Sequence, residues 1–264
     1  FLDEVGNLAL ETQQMLLRAI QERRYRPVGD KADRSFNVRI IAAPNEDLEA
    51  YPRDFEKDSA LVRELGGDVL YAPEPENMYA PDHATWVEVP ALANTLCGLS
   101  RPIHFRGVCT VVLKLFMLAQ PSLAVFGEKD WQQLAIIKKM VSDLNVPVEV
   151  VGRPIVREAD GLALSSRNVY LTPEERAQAP QIRKSLEMAA GLAAGGEHDA
   201  ARIIEAVRGY LAEHLPTGEE DYISIVDPAV LTKVDRIKDM ALCALAIRLG
   251  KARLIDNILL KVGE

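Results

Sequence analysis

The feature that most constrains this chain is LAVFGEKDWQQLAIIKKM, residues 123–140. Residues 123–126 form a short apolar run suited to a buried strand, Gly127 breaks it, and Leu134, Ile137, Met140 and Val141 recur at helical spacing. Strand, tight turn and helix in that order belong to an α/β sheet. In such sheets a ligand binds beyond the carboxyl ends of the strands, and the free amides at the start of the next helix favour an anion. Gly127, Glu128, Lys129 and Asp130 fall at that place. A glycine lets a nucleotide approach the backbone, a lysine meets a phosphate, and an aspartate accepts hydrogen bonds from ribose hydroxyls. The same letters also suit a plain turn capped by Asp130 with Lys129 in solvent, and spacing alone does not separate the two readings.

The text on either side keeps the alternation. A helix is expected over 53–65, a strand over 69–72, an apolar helix opened by Gly107, and a strand over 148–151. This pattern predicts an α/β fold built on a parallel sheet. Beyond it, Thr172 with Pro173 reads as a helix cap, and two amphipathic helices are expected over 181–194 and 199–214. DYISIVDP, ALCALAIRL and ARLIDNILL then form a short sheet. The expected division is a nucleotide-binding domain over 1–160 and a smaller α+β domain over 161–264.

Charge and cysteines narrow the partners. Of 264 residues, 31 are Lys or Arg and 39 are Asp or Glu, so the net charge is -8, and no basic tract offers a platform for nucleic acid. Small-molecule partners are the expectation. Cys97, Cys109 and Cys243 sit among apolar neighbours at wide spacing, which suits buried thiols in a reducing cytoplasm rather than a zinc site. No apolar stretch approaches the ~18 residues of a membrane span. The chain begins at Phe1 without an initiator methionine or signal-peptide regions, so its numbering is expected to start inside a longer or cut polypeptide.

The first forty-odd residues read as a βαβ unit: a strand end at 1–5, a helix over 11–22 carrying Met15, Leu16, Ala19 and Ile20, a polar stretch over 23–35, and a strand over 38–43. FLDEVGNLALETQQMLLRAIQERRYRPVGDKADRSFNVRIIAAPNEDL resembles the AAA+ ATPase domain of bacterial enhancer-binding transcription activators. That resemblance implies a magnesium-ordering role for Asp3, a water-activating role for Glu4, and a sensor position at Asn45. A GxxxxGK[ST] loop, which must hold the phosphates, is absent from these residues. Asp3 and Glu4 therefore read as a relic magnesium site on α/β scaffold.

RPIHFRGV, FGEKDWQQL, DGLALSSRN and ARLIDN, in this order, resemble the pantoate–β-alanine ligase family over about 44–264. The resemblance implies a Rossmann-like nucleotidyltransferase domain with a smaller C-terminal domain, a homodimer, and ATP with Mg2+. It implies ligation of pantoate to β-alanine, giving pantothenate through a pantoyl adenylate. By position it assigns the ribose to Gly127 and Asp130, the phosphates to Lys129, Ser165, Ser166 and Arg167, and pantoate to Gln133. His104 and Arg106 fall near the same site. The family's HxGH histidines correspond to Ala9 and Thr12, and its pantoate-binding glutamine segment is replaced by IIAAPNEDL. The expectation is a ligase impaired in adenylation; the rivals are a fragment of a transcription-activator ATPase and an inactive hybrid scaffold.

Overall fold

The computed structural model describes three short strands in the N-terminal region and, after them, residues 55–64, 66, 70–71, 73 and 75–263. Asp3, Glu4, Ala9, Thr12 and Asn45, and the helix expected over 11–22, lie outside the described residues.

Strands β1 (Arg24–Tyr25) and β2 (Arg34–Ser35) pair antiparallel inside the stretch expected to be a polar connection. β3 (Ile40–Ile41) and β4 (Leu70–Tyr71) fall inside the two strands expected there and pair in parallel, Ile40 opposite Leu70. Helix α1 (Phe55–Glu64) connects them. Three short helices follow, α2 (Pro75–Met78), α3 (Pro90–Ala93) and α4 (Cys97–Ser100), and then the long apolar α5 (His104–Ala119).

Gly107 does not open α5. The helix starts one turn earlier, where Phe105 is buried and the His104 amide bonds the Arg101 carbonyl at 3.1 Å. Burial of an aromatic side chain outweighs the intrinsic penalty of a glycine in the first turn.

β5 (Leu123–Gly127) and β6 (Glu149–Arg153) are parallel and in register, from Leu123 opposite Glu149 to Gly127 opposite Arg153. Between them a 3-10 turn, Glu128–Asp130, leads into α6 (Trp131–Asp143), which buries Leu134, Ile136, Ile137 and Met140. β6 runs two residues past the expected end because the full length of β5 pairs with it. At Gly152 a Cβ would lie 2.8 Å from Leu134 Cδ2 and 2.9 Å from Glu128 Oε1, so any larger residue there would push these two side-chain ends aside.

The C-terminal part follows its local signals closely. Thr172 and Glu175 form a reciprocal capping box at the start of α7 (Pro173–Gln178). α8 (Gln181–Ala194) has the expected limits, and Asp199 caps α9 (Ala200–His214) by accepting from the Ala201 and Arg202 amides. β7 (Gly218–Val226), β8 (Met240–Leu249) and β9 (Ala252–Lys261) make an antiparallel sheet in the order β7-β8-β9. One face of this sheet, with Cys243, Leu245, Ile247 and Leu254, packs on α8 and α9. The other, with Leu242, Ala244, Ile255 and Leu259, packs on the core of α5, β5 and α6. Burial on both faces explains why ALCALAI is apolar without alternation. It also brings the edge of β9 against the 128–130 turn.

Candidate active site

The 128–130 turn hangs from the carboxyl end of β5 and is held from outside its own segment. Asn257 Nδ2 donates to the Glu128 carbonyl at 2.9 Å and the Lys129 carbonyl at 3.0 Å. Asp130 occupies the N-cap position of α6, but its side chain makes no cap hydrogen bond. The capped-turn reading of Asp130 is thereby corrected: the turn is fixed by β9, and Asp130 faces a cavity. Behind it, the buried Gln132 accepts from the Cys97 amide at 3.0 Å and donates to the Leu92 and Thr95 carbonyls, which fixes the segment between α3 and α4.

The second loop leaves β6 and folds back on itself through the Arg157–Ala163 bridge. Arg157 donates to both oxygens of the Asp256 carboxylate, at 2.7 and 2.9 Å, and to the Gly161 carbonyl. Arg176 of α7 bonds Glu158 and Asp160, each at 2.6 Å, and Asn168 donates to Glu158 and the Ala163 carbonyl. Ser165 is buried, and its hydroxyl accepts from the Arg167 amide at 3.3 Å, capping the 3-10 turn Ser166–Tyr170. These braces aim Arg167 at the cavity that Lys129 lines.

The cavity has a volume of about 300 Å³. Lys129, Asp130, Gln133 and Arg167 line it together, and His104 joins them from α5. Ser165 lies beside Lys129 in a small adjoining recess. Gly127 and Ser166 are not among the lining residues; Gly127 is exposed, with open space where a Cβ would be. Arg106 does not turn toward the cavity. Its guanidinium lies 4.8 Å from the Trp86 ring and 3.5 Å from Glu88, because α5 presents positions 104 and 106 on different sides.

Sequence reasoning missed Arg101, Lys251, Arg253, Asp256 and Asn257 as lining residues, although SRPIHFRGV and ARLIDN contain four of the five. Arg253 donates to Asp221 at 2.6 Å and lies 3.6 Å from the Cys97 sulfur. Burial alone raises the Asp221 carboxyl, but the hydrogen bond and charge of Arg253, with a hydrogen bond from Ser100, bring it below the usual carboxylate range. Burial pushes His104 down to about 4, helped by the Arg101, Arg167 and Arg253 charges and opposed by Asp130. Arg101 is lowered by burial and by the neighbouring Arg167 and Arg253. Half-buried cations lining one cavity favour polyanionic or carboxylate ligands. Among the described residues there is no group of three or more His, Cys, Asp and Glu side chains that could hold a metal ion.

A parallel α/β half with a nucleotide-type turn at a strand end, closed by a C-terminal α+β unit over a cationic cavity, has the architecture of a nucleotidyltransferase-like α/β enzyme. The pantothenate synthetase of Thermus thermophilus superposes with a TM-score of 0.82 at 41% identity, covering 97% of this chain and 91% of that one. The profile described as Pantoate-beta-alanine ligase matches residues 36–259, and the chain belongs to that family. It is 63% identical over 240 residues to the pantothenate synthetase of Nitratidesulfovibrio vulgaris (strain DSM 19637 / Miyazaki F), covering 90% of this chain and 84% of that protein. A pantoate-beta-alanine ligase of Francisella tularensis, solved with beta-gamma ATP and beta-alanine, has a TM-score of 0.65 at 29% identity over 84% of this chain and 80% of that one. The profile described as Sigma-54 interaction domain matches residues 1–61. Among the described residues no helix is long and apolar enough to cross a membrane.

Proposed function

We propose that the chain joins pantoate to β-alanine at the expense of ATP, releasing AMP and pyrophosphate. In the first half-reaction a pantoate carboxylate oxygen attacks the α-phosphorus and pyrophosphate leaves. In the second, the β-alanine amine attacks the acyl carbon, loses a proton, and AMP leaves with its bridging oxygen. The observation that carries this reading is the convergence of Lys129 and Arg167, from two separately braced loops, on one cavity that Arg101 and Arg253 also line.

Charge builds on the α-phosphate oxygens as the adenylate forms, and on the acyl oxygen and then the departing phosphate as AMP leaves; preplaced cations stabilise it without reorganising. Lys129, Arg167, Ser165 and Ser166 serve the phosphates, Gly127 and Asp130 the ribose, and Gln133 pantoate. Arg101 and Arg253 suit the carboxylates that both small substrates carry. His104, neutral at physiological pH, offers hydrogen bonding without adding to the positive charge. Magnesium would arrive with the nucleotide and would offset part of its phosphate charge. The two units divide near residue 160, the chain works in the cytoplasm, and it pairs as a homodimer whose mass light scattering would report.

The assay is AMP release that requires ATP, pantoate and β-alanine together, on a chain of confirmed mass. Release independent of pantoate would overturn the reading. Ala9 and Thr12, where the family places histidines, favour a slow adenylation step. Synthetic pantoyl adenylate should then restore amide formation more than it raises the overall reaction. A normal overall rate would contradict the impairment.

A further inference from the structure

Resting on the ATP reading above, we propose that Asn257 is a positioning residue for the nucleotide, acting through the backbone of Glu128 and Lys129. Asn257 is 6% exposed, and its amide nitrogen bonds two consecutive carbonyls of the turn. The turn has no side-chain cap of its own: Gly127 offers none, and neither does Asp130. A peptide unit is planar and trans, so fixing the Glu128 carbonyl fixes the Lys129 N–H, and fixing the Lys129 carbonyl fixes the Asp130 N–H. The side chain thus sets two amide directions and the origin of the Lys129 side chain at once.

The next residue along β9 extends the argument. Asp256 holds Arg157 at the base of the second loop, so adjacent positions on one strand anchor both loops. Their separation fixes the gap between Lys129 and Arg167. Misplacement of such groups by about an ångström is enough to lose much of their effect.

Asn257→Ala removes both donated bonds. Asn257→Leu keeps nearly the same shape without a donor and decides the matter if the alanine variant does not fold. Either should raise the KM for ATP, and the calorimetric dissociation constant, about tenfold, the expected loss for two such bonds. With pantoyl adenylate supplied, the KM for β-alanine should stay within about twofold, a split that a purely structural role would not produce. Unchanged ATP affinity in a folded variant, or equal losses in both half-reactions, would overturn the proposal. A parent chain that binds no ATP would overturn the ligase reading and this inference with it.

Discussion

The Asp256 carboxylate receives both terminal nitrogens of Arg157, at 2.7 and 2.9 Å, with only 2% of the aspartate side chain and 19% of the arginine side chain exposed. This fork ties the strand that closes the cavity to the loop that carries Arg167. Removing one partner leaves a buried charge without its counterion. Asp256→Asn should therefore destabilise the fold by about 3 kcal/mol, read as a lower midpoint in urea, and should weaken ATP binding as the second loop loosens.

Lys129 extends from a turn whose backbone is held elsewhere, so removing its side chain takes away charge without removing a brace. Lys129→Ala should weaken ATP binding by about 2 kcal/mol, roughly thirtyfold, and leave the thermal midpoint almost unmoved. Calorimetric titration with ATP checks it, and an unaltered dissociation constant would remove Lys129 from the site.

Thr172 provides the converse case. Its capping box holds α7 several residues beyond the Ser165–Arg167 segment. Thr172→Ala should cost about 1 kcal/mol of stability with no change in ATP affinity. A loss of affinity larger than the loss of stability would show that the cap also sets the loop.

His104 gives the chain a pH dependence of known sign. Folding holds its imidazole at about 4, against 6.5 when free, so between those values the unfolded chain binds a proton that the folded one refuses. Above about pH 6.5 both states are neutral and the group has no effect on stability. Stability should fall as pH drops from 6.5 toward 4, and His104→Gln should flatten that part of the curve measured by denaturant titration.

Burial raises the Cys109 thiol to about 11 and the Cys243 thiol to about 12, and neither side chain is accessible. Both should resist alkylation at pH 8 until the chain unfolds. Peptide mapping after brief iodoacetamide treatment of native protein checks this; labelling of Cys243 at the rate of a free thiol would contradict the two-sided burial of β8.

What the sequence determined by itself was local. The limits of α8, the cap at Thr172, and the strand, turn and helix around Gly127 depend on contacts within a few residues, where periodicity and capping chemistry act directly. Position at the strand end singled out Lys129 and Asp130; family resemblance added Gln133 and Arg167, which the fold brings to the same cavity, and Arg106, which it turns away. Tertiary structure alone decided the rest. Whether Asp130 caps its helix or faces the cavity turned on Asn257, which takes hold of the Lys129 carbonyl across 128 positions of sequence. No local pattern encodes that distance, because the partner arrives only when β9 pairs with β8 and the sheet buries its second face on α5 and α6. The start of α5 was settled likewise by the burial of Phe105, a packing effect stronger than the signal of a glycine. Hydrogen bonds and apolar contacts between distant segments act only once the chain has closed around them, and that closure places Arg101, Arg253, Asp256 and Asn257 in the site.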